Sequence, residues 1–199
     1  MKLELSRHLD KARDTVAEVD RLISLHRYPG DMRTVMVRGL LATVMEHHRS
    51  ILQLLRSGAI ESSYALARDV VTAMRNGLWI NSTASEEQMR QIEAGDAPLS
   101  IPEAIKAIEA AYGKDSFFES LKNRWASQLI KYTRSGILRV GRWHLDEGSG
   151  LRSDDNEIQE VVTISTLCVV ILAAKFLDGQ KQPVDCKTIE ALAAAYASS

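Results

Sequence analysis

Two long apolar segments, separated by a two-residue break, constrain the fold of this chain more than any other feature. Met32–Arg56 and Ala59–Asn81 both repeat apolar residues at three- and four-residue steps, the spacing that gives an α-helix an apolar face. Only Ser57 and Gly58 lie between them. A connection this short brings the second helix back beside the first in the antiparallel direction. The sequence therefore predicts a central hairpin of two long helices.

Helical periodicity also dominates the rest of the 199 residues, and no segment shows the alternation of a half-buried strand. Asp31, Ser85 and Ser100 are expected N-caps, since each precedes a periodic segment and can accept a backbone hydrogen bond. We predict a single all-α domain over residues 1–199, a bundle of six or seven helices. The other predicted helices are about Lys2–His26, one that starts after Ser100, Lys114–Tyr132, Asn156–Leu177 and Val184–Ala197, with a further short helix after Ser85.

The most apolar segment, Val161–Leu177, is interrupted by polar residues and falls short of the about 20 continuous apolar residues that a membrane span needs. We interpret it as a core helix packed on the central hairpin. The charged N-terminus has no apolar signal core, and two sparse cysteines fit a reducing compartment. We therefore expect a cytoplasmic protein with no membrane partner. The broad apolar coverage of this helix and of Met32–Arg56 favours a homodimer.

Several kinds of chemistry have no matching motif. Glu46-His47-His48 is rich in metal-ligand side chains, but adjacent helical residues point about 100° apart and cannot all face one ion. One of these side chains is expected instead to make a buried hydrogen bond. The sequence has no Gly-rich phosphate loop and no Gly-x-Ser-x-Gly turn. We expect neither a metal nor a cofactor, and Cys168 is expected to pack as a small hydrophobe.

Charge is unevenly distributed, although the whole chain has a net charge of only −1. Lys114–Arg142 holds seven basic and two acidic residues, interleaved with aromatic residues, and an acidic stretch follows it. Basic and aromatic residues together suit single-stranded nucleic acid, where charges pair with phosphates and rings stack on bases. Alternatively, the aromatic residues belong to the core and the acidic stretch neutralises the basic one.

Within this basic stretch, Arg139 precedes His144 by five residues. The spacing resembles the Arg-x(4–6)-His motif of the HEPN superfamily, all-α domains of bacterial toxin–antitoxin and abortive-infection systems that usually act as dimers. The resemblance implies a metal-independent ribonuclease. His144 would be the general acid or base and Arg139 would stabilise the phosphate, with Tyr132 and Arg134 nearby. Val140 and Gly141 depart from the common pattern, which has a polar residue after the arginine.

A second resemblance covers about residues 35–145. The runs Leu54–Gly58, Ala65–Arg68 and Asn76–Ile80 resemble an uncharacterised family of bacterial helical domains, in which a Leu-x-Arg-x-x-x-Glu-like helix ends in Arg-Gly-Leu-Trp. Lys131–Gly136 resembles the later Tyr-Thr-His-x-Gly segment of that family. The chain departs from the family pattern at three positions, while Arg68 matches it. The three positions are Thr72 for the glutamate, Asn76 for the arginine and Arg134 for the histidine.

These observations leave two functions open, and with them the question of whether the chain is an enzyme. The first is a binding or interaction domain in a bacterial defence, stress or mobile-element setting, which would bind a protein, RNA or its own copy. The second is the HEPN-like ribonuclease that uses Arg139 and His144. Arg68, midway along an apolar helix, is expected to need a buried acceptor such as Glu46 or Glu61. Trp79 is expected in the core. The candidate binding residues are Arg68, Tyr132, Arg134 and Arg142.

Overall fold

The computed structural model describes residues 3–96, 100–113 and 155–197, and these residues form seven α-helices and no strand. The all-α prediction is therefore confirmed. The predicted helix Lys114–Tyr132 lies outside the described residues. The helices are α1 (Leu3–Ser24), α2 (Met32–Arg56), α3 (Ile60–Ser82), α4 (Glu86–Glu93), α5 (Ile101–Tyr112), α6 (Asp155–Gly179) and α7 (Pro183–Ala197).

The predicted hairpin is formed by α2 and α3, which share the most extensive contact between any two described helices. Gly58 has a φ of +83°, a left-handed conformation in which glycine, without a Cβ, is favoured. At the far end of the hairpin, the Arg33 guanidinium of α2 donates to the carbonyls of Ile80 and Ala84, where α3 ends. This contact between the start of α2 and the end of α3 shows that the two helices are antiparallel.

The helix α6 forms the centre of the bundle and contacts α1, α2, α3 and α7. It is the one described helix long and apolar enough to cross a membrane, yet 83% of its most apolar 18-residue window is buried inside the bundle. The predicted core helix is confirmed. Its apolar surface is covered within one chain, so α6 does not itself require a second copy.

α3 and α6 pack closely at Gly77, where a Cβ would lie 2.7 Å from Leu172 Cδ1 of α6. A side chain there would displace Leu172, which is fully buried. Trp79 is 5% exposed, so its predicted place in the core is confirmed. This close packing holds α3 in a fixed rotation and directs its other side outward.

The predicted helix starts are also confirmed. Asp31 accepts from the Thr34 backbone N–H at 3.0 Å, and Ser85 forms a reciprocal capping box with Gln88. The Ser100 backbone N–H donates to the Glu103 carboxylate at 2.9 Å. These local hydrogen bonds satisfy backbone donors that have no partner inside a helix, and so they fix where each helix begins.

Candidate functional site

Of the residues predicted to form a site, the structure describes Arg68. Tyr132, Arg134, Arg139, Arg142 and His144 lie outside the described residues, so the convergence of Arg139 and His144 stays a prediction. The expectation of a buried acceptor for Arg68 is wrong. Ala67 and Val70 face the core, whereas Arg68 falls between them on the exposed side of α3. Within the described chain, no ion pair joins it to Glu46 or Glu61.

The outward side of α3 carries four polar residues at helical spacing: Arg68, Thr72, Arg75 and Asn76. Around a helix, the positions four and seven residues after Arg68 lie within about 40° of it, and the position eight residues after lies about 80° away, so the four residues fall within an arc of about 100°. Arg68 is exposed and the other three are partly buried. We call these four residues the α3 polar face. Their alignment makes one continuous polar surface beside the apolar stripe that packs on α2 and α6.

Arg75 is the arginine of this face whose guanidinium is partly buried without an acidic partner among the described residues. Its Nε and Nη2 both donate to the Asn76 side-chain oxygen, at 3.3 and 3.1 Å. Among the described residues, no carboxylate oxygen lies within ion-pair distance of its guanidinium. Burial lowers the pKa of Arg75 from its ordinary value, but an arginine keeps its charge in proteins. A partly buried cation beside a neutral amide can therefore bind an anion.

Asp69 is the acidic residue nearest to this face in sequence. It follows Arg68 directly and is exposed, about 100° from Arg68 around the helix and about 20° from Asn76, at the edge of the α3 polar face. Neither Arg68 nor Arg75 pairs with it in the described structure. The two guanidinium charges of the α3 polar face are therefore not neutralised by their own helix.

His48, the last residue of the Glu46-His47-His48 run on α2, lies in the core of the bundle and not at a candidate metal site. His48 is fully buried, and its Nδ1 lies 2.9 Å from the Ser165 hydroxyl oxygen of α6, while the Ser165 hydroxyl donates to the Val162 carbonyl. Burial lowers the pKa of His48 to about 4, and the Ala12 backbone offsets this only partly. The prediction of one buried hydrogen bond within Glu46–His48 is confirmed. A neutral, enclosed imidazole here joins α2 to α6.

Two other histidines, His8 of α1 and His26 just after it, contact α6 and α7. His8 Nε2 lies 3.1 Å from both the Thr163 and Tyr196 hydroxyl oxygens, and His26 Nε2 lies 2.6 Å from an Asp185 carboxylate oxygen. Burial lowers the pKa of His8. These contacts join residues 155 to 188 positions apart, so no local sequence pattern predicts them.

The described residues contain no group of three or more His, Cys, Asp or Glu side chains that could hold a metal ion. Cys168 is buried on α6, and burial raises the pKa of its thiol to about 12. A thiol this far from ionisation is neither a nucleophile nor a ligand at neutral pH, and it packs as a small hydrophobe as predicted.

Comparison with known proteins gives a family but no activity. Residues 41–199 match the profile of a family of unknown function (DUF6988). No curated protein matches the chain, and no solved structure matches it. The match begins within α2 and includes α3 with its polar face, the basic stretch, α6 and α7. Since it covers most of the chain, the protein belongs to this uncharacterised family.

Proposed function

We propose that this chain is a binding domain that holds an anionic group of a protein partner on the α3 polar face. The observation that carries the proposal is Arg75, a partly buried guanidinium that has a neutral amide as its hydrogen-bond partner. A charge kept near the core without a carboxylate costs free energy in the isolated chain. A bound anion would offset that cost, and this gain would favour anion binding at Arg75.

The rest of the proposal concerns the setting. The protein acts in the cytoplasm of a bacterium, in a defence, stress or mobile-element context, and binding rather than turnover is its activity. The membrane-length helix buried at the centre of the bundle supports a soluble setting. Membership of a family without an assigned activity is compatible with a binding role.

Quantitative affinity capture from cells of the source organism tests the surface. The baits are the wild type, the double variant Arg68→Glu/Arg75→Gln, and Arg49→Gln, an exposed α2 arginine, as the matched control. We expect a partner that the wild type and the control retain and the double variant loses, followed by the same ranking with the purified partner. Equal capture by all three baits would show that α3 is not the binding surface.

A second copy of the chain is one candidate partner. Sedimentation velocity over a hundredfold range of protein concentration tests this homodimer directly. We expect a dimer that Arg68→Glu weakens and Arg49→Gln does not. If the wild type stays monomeric over the whole range, the homodimer is excluded and the partner is a different protein.

The alternative function is a metal-independent ribonuclease that uses Arg139 and His144. The Arg–His spacing inside a stretch of seven basic and two acidic residues favours it. Its test is cleavage of a single-stranded RNA in the presence of chelator by the wild type, His144→Ala and Arg139→Ala. Loss of cleavage in both variants would support the nuclease, whereas absent cleavage, or equal cleavage in all three, would eliminate it.

A further inference from the structure

We infer that the α3 polar face is a phosphate-binding site, in which Arg75, Thr72 and Arg68 donate to the terminal oxygens of a phosphate monoester. This inference rests on the proposed function and specifies the group that the surface recognises. Three features of the α3 polar face lead to it in three steps: the donors that remain available, the charge, and the spacing.

The first step is the number of available donors. An arginine has five N–H donors in a planar fork. Two nitrogens of Arg75 point to the single Asn76 oxygen, which leaves three of its N–H donors without a partner in the described structure. Because Asn76 holds Nε and Nη2, it also fixes the plane of the fork, and a fixed fork loses little conformational entropy on binding. Asn76 is therefore a positioning residue for Arg75.

The second step is charge. Arg68 and Arg75 together contribute two positive charges that no described carboxylate neutralises. A carboxylate has a charge of −1 and two coplanar oxygens, whereas a phosphate monoester has a charge of about −1.5 to −2 and three strong acceptor oxygens. Two arginines and a hydroxyl match the second set of charges and acceptors better than the first.

The third step is spacing. Thr72 lies one turn after Arg68 and about one turn before Arg75, and the two arginines are about 10 Å apart along the helix axis. Arginine side chains are long enough for both guanidinium groups to approach a phosphate that sits beside the Thr72 hydroxyl. The partly buried Arg75 and Thr72 would form the inner part of the site, and the exposed Arg68 would close its outer side.

Asn76→Asp is the most informative variant, because it keeps both arginines and the fold while giving Arg75 a carboxylate of its own. The full-length chain is titrated with inorganic phosphate and, separately, with sodium acetate at constant ionic strength, and the resonances of the α3 backbone and arginine Nε groups are followed by NMR. We expect saturable shifts with phosphate and no saturation with acetate. Asn76→Asp and Arg75→Gln should weaken phosphate binding about tenfold or more, as expected for charged hydrogen bonds.

Arg49→Gln is the matched control and should bind phosphate like the wild type. Arg75→Lys keeps the charge but not the fork, and an intermediate affinity is expected. O-phosphoserine and glycerol phosphate then distinguish the source of the group: tighter binding of the amino acid indicates a phosphorylated protein partner, and tighter binding of the glycerol ester indicates a small-molecule ligand.

Three outcomes would overturn the inference: linear, non-saturating shifts with phosphate, equal affinity for acetate, or unchanged phosphate affinity in Asn76→Asp. These results would leave the proposed function intact if the α3 double variant still loses its partner in the capture experiment. Conversely, the wild type could bind phosphate saturably while all three baits capture the same partners. That result would support the phosphate site and show that the partner binds to another surface.

Discussion

The arginines of α2 and of α3 lie on adjacent antiparallel helices, yet their surroundings differ in kind. On α2, Arg49 pairs with Asp20 at 2.6 Å and Arg56 pairs with Asp10 at 2.7 Å, which joins α2 to α1. On α3, Arg68 is exposed and Arg75 donates to a neutral amide. These two α2 arginines form ion pairs with α1, whereas the α3 arginines have no ion pair with a described residue.

This difference provides a way to separate charged groups that stabilise the fold from charged groups kept for a ligand. A charged group that supports the fold has an opposite charge or a backbone carbonyl as its partner, and its removal lowers stability. A charged group kept for a ligand has no such internal partner, and its removal leaves stability unchanged or raises it, as is often observed at binding sites. Substitutions of the α2 and α3 arginines should therefore differ in their effect on the free energy of unfolding.

Lowering the pH should reduce the free energy of unfolding more than any substitution below, because it acts on the buried His48 of α2. The arginines stay charged over the same pH range. The pKa of His48 is about 4 in the folded chain and near 6.5 when unfolded, so below pH 6.5 the unfolded chain takes up a proton that the folded chain does not. The free energy of unfolding should fall by roughly 3 kcal/mol between pH 6.5 and pH 4. His8, whose pKa is also lowered, acts in the same direction.

Urea unfolding at pH 7.5, 5.5 and 4.5 measures this loss of stability. His48→Gln serves as the control, since a glutamine at this position cannot titrate and should flatten the dependence on pH. If the wild type and the variant lose equal stability over this range, His48 is not the group that makes the α2–α6 contact sensitive to acid.

Arg33→Ala should have the next largest effect. Arg33 donates to the Ile80 and Ala84 carbonyls, which lie near the end of α3 where carbonyls lack partners inside the helix. Loss of two charged hydrogen bonds should reduce the free energy of unfolding by about 2 kcal/mol. Chemical denaturation checks the value against Arg49→Ala, an exposed ion-paired arginine, which should cost less than about 1 kcal/mol. If Arg33→Ala and Arg49→Ala lowered the free energy of unfolding equally, the hydrogen bonds of Arg33 to carbonyls would stabilise the fold no more than the exposed ion pair of Arg49.

Asn76→Asp should have a smaller effect of the opposite sign. The new carboxylate would neutralise the partly buried Arg75, so we expect the free energy of unfolding to rise by about 0.5 to 1 kcal/mol, the upper part of the range measured for exposed ion pairs. Asn76→Ala, which removes the amide without supplying a charge, is the matched control and should not stabilise. A loss of stability in Asn76→Asp would mean that Arg75 is already neutralised within the chain.

The fold follows from the sequence much further than the site does. The hairpin, the core helix and the N-caps of Asp31, Ser85 and Ser100 are all local signals: a short break, a periodic apolar face, a side-chain oxygen before a helix. The buried His48–Ser165 contact could be predicted only in kind, as a hydrogen bond with an unnamed partner 117 positions away. Long-range pairing depends on how helices rotate against each other, and one sequence does not specify that rotation.

Arg68 is a second case in which the rotation of a helix, which one sequence does not specify, decides where a side chain lies. Its position in an apolar helix suggested burial, because Ala65, Leu66, Val70 and Val71 surround it in sequence. The close approach of Gly77 to Leu172 sets the rotation of α3 and leaves Arg68 and Ala65 outside the core. The sequence identified Arg68 as a candidate binding residue. Only the structure showed that Arg75 and Asn76 lie on the same face of α3.

Arg68→Gln should have the smallest effect on stability and is therefore the sharpest test of the comparison. An exposed arginine without an ion pair contributes little to folding, so the free energy of unfolding should change by less than about 0.5 kcal/mol, with no dependence on salt. Arg56→Gln, which breaks the pair with Asp10, should cost a few tenths to about 1 kcal/mol, less so in high salt. Paired denaturation curves at low and high ionic strength measure both variants. A salt-dependent loss in Arg68→Gln equal to that in Arg56→Gln would show that Arg68 has an internal partner, and α3 would then be stabilised by its charges in the same way as α2.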